Sequence, residues 1–265
     1  MVEPMQYVFE ASDMSCEVPE ADSFKTIFEG LSFAIGRGEI VDLVGPSGSG
    51  KSSLLTAFAQ LNPHARGSMK LDGRAADEFT PQQWRRQVAY LPQKALLTGS
   101  TVAEAIRLPW TLRIRNTDAG ANRSSRLRRL FSRQSPDAQA RTMLPDERIR
   151  ATLDSIGCED IDLDRAPHDL SGGQAARVSL ARTLLTDPKV LLADEVDAGL
   201  DDENADKVAT IMAQSAARGM AIIRIRHRPP DGRASRIITL DGGTLAEMYM
   251  TGQGNDRHNA QEARA

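Results

Sequence analysis

The hydrophobic positions along this chain change period several times, and each change marks an element. Residues 30–39 alternate apolar and polar and then break on glycines, which predicts a strand running into a turn. Residues 40–44 are a short apolar run, interrupted only by Asp42, that ends at a glycine-rich segment. A helix is expected over 51–60, closed by Asn62 and Pro63. Residues 67–73 read as a further strand and turn, and 88–91 as another strand. Helical spacing returns over 175–185 and stops at Asp187 and Pro188. Residues 190–193 predict a buried strand, with 221–225 as its neighbour. Strands and helices in alternation, interrupted by a mostly helical stretch, imply an α/β fold around a parallel sheet.

Composition narrows this little. The 265 residues allow one large α/β domain or two lobes sharing a core, and the net charge of −3 gives no general attraction to nucleic acid. No nucleic-acid partner is expected. Two cysteines, Cys16 and Cys158, are too few for a disulfide framework and suit free thiols in a reducing cytosol. No apolar run reaches the roughly 20 residues of a membrane-spanning helix, and the first residues lack the basic-then-apolar order of a secretory signal. The chain is therefore expected not to cross a bilayer by itself. Between 113 and 141, eight arginines stand against two aspartates, which predicts a basic, poorly ordered insertion. Residues 253–265 are polar and expected to be a disordered tail.

The candidate chemistry lies at strand ends. Gly45-Pro46-Ser47-Gly48-Ser49-Gly50-Lys51-Ser52, followed by Ser53, fits the phosphate-loop pattern without a mismatch. Glycines let the backbone curl so that its N–H groups converge on phosphates, and the following helix adds its positive end. Lys51 supplies a full charge, and the Ser52 hydroxyl can ligate Mg²⁺. The apolar run 190–193 ends in Asp194 and Glu195. Two ionised carboxylates at a strand end need a reason, since burying them without partners is costly. Neighbouring strand residues point to opposite sides, which gives the pair different tasks. The likeness of this run to a Walker B motif implies that Asp194 holds the Mg²⁺ shell and Glu195 polarises the attacking water.

Leu170-Ser171-Gly172-Gly173-Gln174 resembles the signature of ATP-binding cassette (ABC) proteins, with Ser171 placed to cap a helix. Phosphate loop, Gln93, signature, Asp194-Glu195, Asp201 and His227 occur in that family's order, over about residues 7–246. The resemblance implies a phosphate-loop NTPase core with a parallel sheet, an antiparallel β subdomain and an inserted α-helical lobe. Residues 1–252 would form this ATPase domain, the lobe occupying about 94–172. It further implies that Gln93 senses Mg²⁺ and the γ-phosphate and couples to a membrane partner. By the same resemblance Asp201 is a dimer contact, His227 helps position Glu195 and water, and residues 171–174 meet the ATP held by a second cassette. The implied protein is a transport-coupled ATPase using Mg²⁺ and ATP, paired with a second copy or a paralogous cassette. It would serve an integral membrane permease from the cytoplasmic face of the cell membrane. A soluble non-transport member, such as an iron–sulfur cluster assembly ATPase, is the alternative. The stretch 88–102 together with 108–115, including Pro109 and Trp110, also resembles ATPases of small two-component iron-export systems.

Several residues depart from the family pattern. Asp197 and Gly199 stand where the family usually has threonine and alanine, and Arg228 stands where an aspartate is common. No aromatic residue occupies the adenine-stacking position near Cys16 and Val18, so base stacking is either weaker or supplied by Phe24 or Phe28 across a shifted loop. Asp42 inside an apolar strand has no explanation in the sequence.

Overall fold

The structure is a computed structural model and describes residues 7–20, 23–112 and 135–249. The arginine-rich stretch up to 134 and the tail from 250 lie outside the described residues. Among the described residues, ten strands form two sheets. The first is antiparallel, in the order β2 (Ser23–Gly36), β1 (Tyr7–Glu20), β4 (Ala65–Leu71) and β5 (Arg74–Ala75). The second has the order β10 (Thr244–Tyr249), β9 (Arg236–Asp241), β3 (Ile40–Val44), β8 (Ala221–Ile225), β7 (Val190–Asp194) and β6 (Val88–Leu91). It is parallel from β9 to β6, with β10 added antiparallel.

Both faces of the parallel sheet are covered, so its strands read as continuous apolar runs. Val190 and Leu192 of β7 face a core that includes Phe9, Phe58 and Trp84. Leu191 and Ala193 face a second core shared with the helices. The first core holds α1 (Lys51–Phe58) between the two sheets. Its Trp84, on α2 (Pro81–Gln87), donates its indole N–H to the carbonyl of Phe58 at 2.8 Å. The second core takes α3 (Val102–Thr111), α4 (Pro136–Met143) and α5 (Asp146–Ser155), which form the helical lobe. It also takes α6 (Gly172–Leu185) and α7 (Asp202–Ala217). The antiparallel subdomain, parallel sheet and helical lobe agree with the expected architecture.

Some details differ from the sequence reading. The helix expected over 51–60 ends at Phe58, and Gln60 takes a positive φ of 54°. The basic stretch is not irregular throughout, because Arg141 sits on α4, a helix anchored by buried Ala140. Phe28 lies in the core opposite Cys16 of β1 and is 1% exposed, whereas Phe24 is 69% exposed. Cys16 and Cys158 are free and buried. No helix among the described residues is long and apolar enough to cross a membrane.

Candidate active site

Four adjacent parallel strands deliver the candidate residues to one edge of the sheet. The glycine-rich loop leaves β3, His227 follows β8, Glu195 follows β7 and Gln93 follows β6. Because these strands share one direction, the loops beyond their carboxyl ends gather at the same end, where ligands of α/β sheets bind.

The loop is built by glycines that only glycine could replace. Gly45 and Gly50 have φ of 143° and 98°. A Cβ at Gly45 would lie 2.1 Å from the Leu240 carbonyl oxygen, and one at Gly50 would lie 2.5 Å from Ile27 Cγ2. Gly50 is also the N-cap of α1, so the helix starts without a side chain covering its end. Lys51 Nζ donates to the carbonyls of Gly45 at 2.9 Å and Pro46 at 2.8 Å, and the loop closes around that ammonium. Ser52 is exposed and Ser53 half-buried. Ser49 Oγ is buried without a hydrogen-bond partner. Beside the loop lies a cleft of about 620 Å³ lined by Lys25–Glu29 of β2, Pro46–Ser49 and the Asp241–Thr244 turn.

Asp194 and Glu195 are adjacent but face different partners. Asp194 is buried, and its Oδ2 accepts the Tyr90 phenol at 2.8 Å. Burial, reinforced by Asp194, raises the Tyr90 pKa well above that of an ordinary phenol, so Tyr90 stays a donor. Glu195 takes a left-handed φ of 50°, which turns the chain out of the sheet. Its Oε2 accepts Gln93 Nε2 at 2.7 Å, and its Oε1 accepts His227 Nε2 at 2.6 Å. An ionised carboxylate only accepts, so Nε2 carries the hydrogen of this contact. Each oxygen keeps a lone pair for a further donor, such as a water.

The second set of candidates lies apart from the loop. Ser171 caps α6 through a reciprocal capping box with Gln174: Ser171 Oγ accepts the Gln174 amide at 3.2 Å, and Gln174 Oε1 accepts the Ser171 amide at 3.1 Å. Gln174 Nε2 donates to Asp160 at 2.9 Å. Gly172 and Gly173 therefore sit in a bare first helical turn. Among the described residues, no hydrogen bond joins 171–174 to the loop at 45–53. Asp201 caps α7, and hydrogen bonds from the backbone and side chain of Asn204 hold its carboxyl below the usual carboxylate range.

Two features were missed in the sequence. The Tyr90–Asp194 contact depends on the β6–β7 pairing, which sets Tyr90 opposite Leu192. The partners of Asp42 and Asp197 were also hidden. Asp42 accepts Arg224 Nε at 2.5 Å, and Asp197 accepts Arg226 Nε at 3.2 Å. The only signal was an unusual density of charge in apolar strands.

Comparisons with known proteins identify the family. The family model described as "ABC transporter" matches residues 28–198. The methionine import ATP-binding protein MetN of Brucella abortus is 32% identical over 225 residues, which cover 82% of this chain and 54% of that one. The macrolide export ATP-binding/permease protein MacB of Salmonella choleraesuis is 30% identical over 247 residues, 91% of this chain and 34% of that one. The chain thus spans about half or less of the length of these curated relatives. A dimeric post-hydrolysis structure of the ATP-binding cassette MJ0796 with ADP and Pi superposes with a TM-score of 0.69 at 21% identity, covering 92% of this chain and all of that one. Phosphate loop, strand-end acids, capped signature helix and family match all lead to one assignment: the chain belongs to the ABC transporter family, of which it carries the nucleotide-binding cassette.

Proposed function

We propose that this chain binds ATP with Mg²⁺ and hydrolyses it as one of a pair of cassettes that drive a membrane permease. One observation carries the reading: Glu195, at the rim of the phosphate loop's sheet edge, is gripped on both oxygens by Gln93 and His227. A carboxylate so fixed is oriented to accept hydrogen from a water and, in hydrolysis, its proton.

The residues present fit Mg²⁺. The described residues hold no cluster of three or more His, Cys, Asp or Glu side chains that would make a complete protein cage. At this end of the sheet the candidate site offers the buried carboxylate of Asp194, the hydroxyl of Ser52 and the amide of Gln93. This suits a cation that keeps waters and phosphates among its ligands. When bound, Mg²⁺ neutralises charge on the β- and γ-phosphates. Residues 45–53 hold the phosphates through backbone N–H groups and Lys51. The neighbouring cleft takes the ribose and base.

Hydrolysis needs a second copy in this reading. The bare N-terminal turn of α6 offers N–H groups and a positive dipole end to a γ-phosphate, yet among the described residues no hydrogen bond joins it to its own loop. A second cassette, identical or paralogous, supplies the missing half, and Asp201 lies at the contact. The permease is a separate chain on the membrane, with the cassette on its cytoplasmic face. Large apolar side chains exposed at Leu96 beyond Gln93, at Leu108 on α3, at Leu112 just after it and at Met143 on α4 support this docking. Export of a metal ion such as iron is the finer reading, supported by the resemblance of residues 88–102 and 108–115.

Glu195→Gln tests the assignment. ATP binding should persist while hydrolysis falls at least about a hundredfold, the scale of a lost general base. Unchanged turnover would refute it.

A further inference from the structure

Two residues that depart from the family pattern, Asp197 and Arg228, each form a bond between the chain around His227 and the chain after Glu195. His227 is flanked by Arg226 and Arg228, and both reach the segment that runs from Glu195 to α7. Arg226 Nε donates to Asp197 Oδ2 at 3.2 Å. Arg228 Nη1 donates to Asp202 Oδ1 at 2.6 Å, and its Nη2 donates to the Leu200 carbonyl. Between these anchors lie Ala198, Gly199 and Asp201, the last two being a glycine at φ 75° and the cap of α7.

The Arg226 end is buried and belongs to a larger cluster. Arg226 Nη1 lies 2.7 Å from Asp231 Oδ2. Asp231 in turn takes both terminal nitrogens of Arg224, at 2.9 and 2.7 Å, and Arg224 holds Asp42 of β3. Asp42, Asp197, Arg224 and Arg226 are each less than a tenth exposed. Such a cluster has few alternative arrangements, because every member moved leaves a charge buried without its partner. It touches β3 just before the phosphate loop, β8 just before His227 and the chain just after Glu195.

Building on the ATPase reading above, we propose that Arg226 and Arg228 are positioning residues that lock the 197–202 loop to the His227–Glu195 pair. The His227–Glu195 contact at 2.6 Å is otherwise a single bond between two strand-end side chains, one of them half exposed. The arginines add a bond on each side of it. A displacement of the loop, which carries Asp201 toward the second copy, is then passed to the catalytic carboxylate.

The test uses the full chain with Asp197→Ala, Asp197→Asn and Arg228→Met, measuring MgATP hydrolysis per folded molecule beside thermal unfolding. Asp197→Ala leaves Arg226 paired with Asp231, so folding is expected to survive; should it fail, Arg228→Met lies outside the buried cluster and carries the test. Asp197→Ala and Arg228→Met should each lower kcat about tenfold or more, the effect of a small misplacement of a catalytic group, with KM for ATP within about twofold. Asp197→Asn keeps an oxygen for Arg226 Nε and should recover most of the loss. In the Glu195→Gln background, Asp197→Ala should still form the ATP-bound dimer. Parent-like kcat in both variants, a loss confined to KM, or failure of that dimer would overturn the proposal. A parent no more active than Glu195→Gln would instead defeat the ATPase reading itself.

Discussion

The Tyr90 phenol donates to Asp194 Oδ2 across the β6–β7 pair at 2.8 Å, so a neutral donor holds the buried carboxylate in place. Its removal leaves a charged acceptor one bond short. Tyr90→Phe should therefore lower unfolding free energy by about 1.5–3 kcal/mol, the range for a hydrogen bond to a charged group. Because the folded phenol titrates above its usual value, this stabilisation is complete below about pH 10, where an unfolded tyrosine ionises. It is lost as pH rises through the folded value. Denaturant titrations at neutral and alkaline pH check both points: the gap between parent and Tyr90→Phe should shrink only on the alkaline side.

In the proposed site Lys51 has two tasks, since its ammonium also ties the Gly45 and Pro46 carbonyls. Lys51→Ala removes the cradle's full positive charge and the bonds that close the loop. Nucleotide affinity should drop at least about tenfold, because hydrogen bonds to charged groups are worth about 1.5–3 kcal/mol each. Equilibrium binding of a fluorescent ATP analogue measures it. An unchanged affinity would remove Lys51 from the site.

Strand runs and loop chemistry were legible because both are local. β3, β6, β7 and β8 appear as apolar runs, and the loops that follow them carry the recognisable residues. The first eighty residues read as strands and turns, yet the bounds of β1 are not legible because its ladder shifts register around Asp13, which breaks the alternation a strand would show. β10 is mostly exposed and held by pairing with β9, so burial left little mark on its residues. α4 was hidden by the arginine-rich composition around it, its one buried residue being Ala140. Asp42 could not be understood from its neighbours, because its partner Arg224 lies 182 positions away. The Gln93–Glu195–His227 triplet was legible as a set of residues, whereas its hydrogen bonding required the sheet order.

Pairing of two copies should depend on nucleotide. Among the described residues, the 171–174 turn is capped within its own helix and is not hydrogen-bonded to the phosphate loop of its own chain, so in the proposed pair bound ATP would supply much of the surface between the two cassettes. With MgATP, the Glu195→Gln variant should double its apparent mass in light scattering, and without nucleotide it should run as a monomer. A dimer equally strong without ATP would contradict the arrangement.

The Asp42–Arg224 pair allows a sharper test of the core. Arg224 is 3% exposed and holds Asp42 by Nε at 2.5 Å, while gripping Asp231 with both terminal nitrogens. Arg224→Met fits the space with an apolar chain but leaves two carboxylates facing each other with Arg226 alone nearby, 3.9 Å from Asp42 Oδ2. Breaking a buried pair from one side costs about 3–5 kcal/mol. Asp42→Asn acts differently. Burial already raises the Asp42 pKa against the pull of Arg224 and Arg226, so its charge is held at a cost. The amide keeps an oxygen for Arg224 Nε, and Arg224 keeps Asp231. Its loss should be about 1 kcal/mol, the net worth of an ordinary hydrogen bond. Urea unfolding of the two variants side by side should therefore give a clear ranking, with Arg224→Met far the weaker. Equal losses would show that Arg224 serves Asp42 alone and that its bonds to Asp231 add no stability.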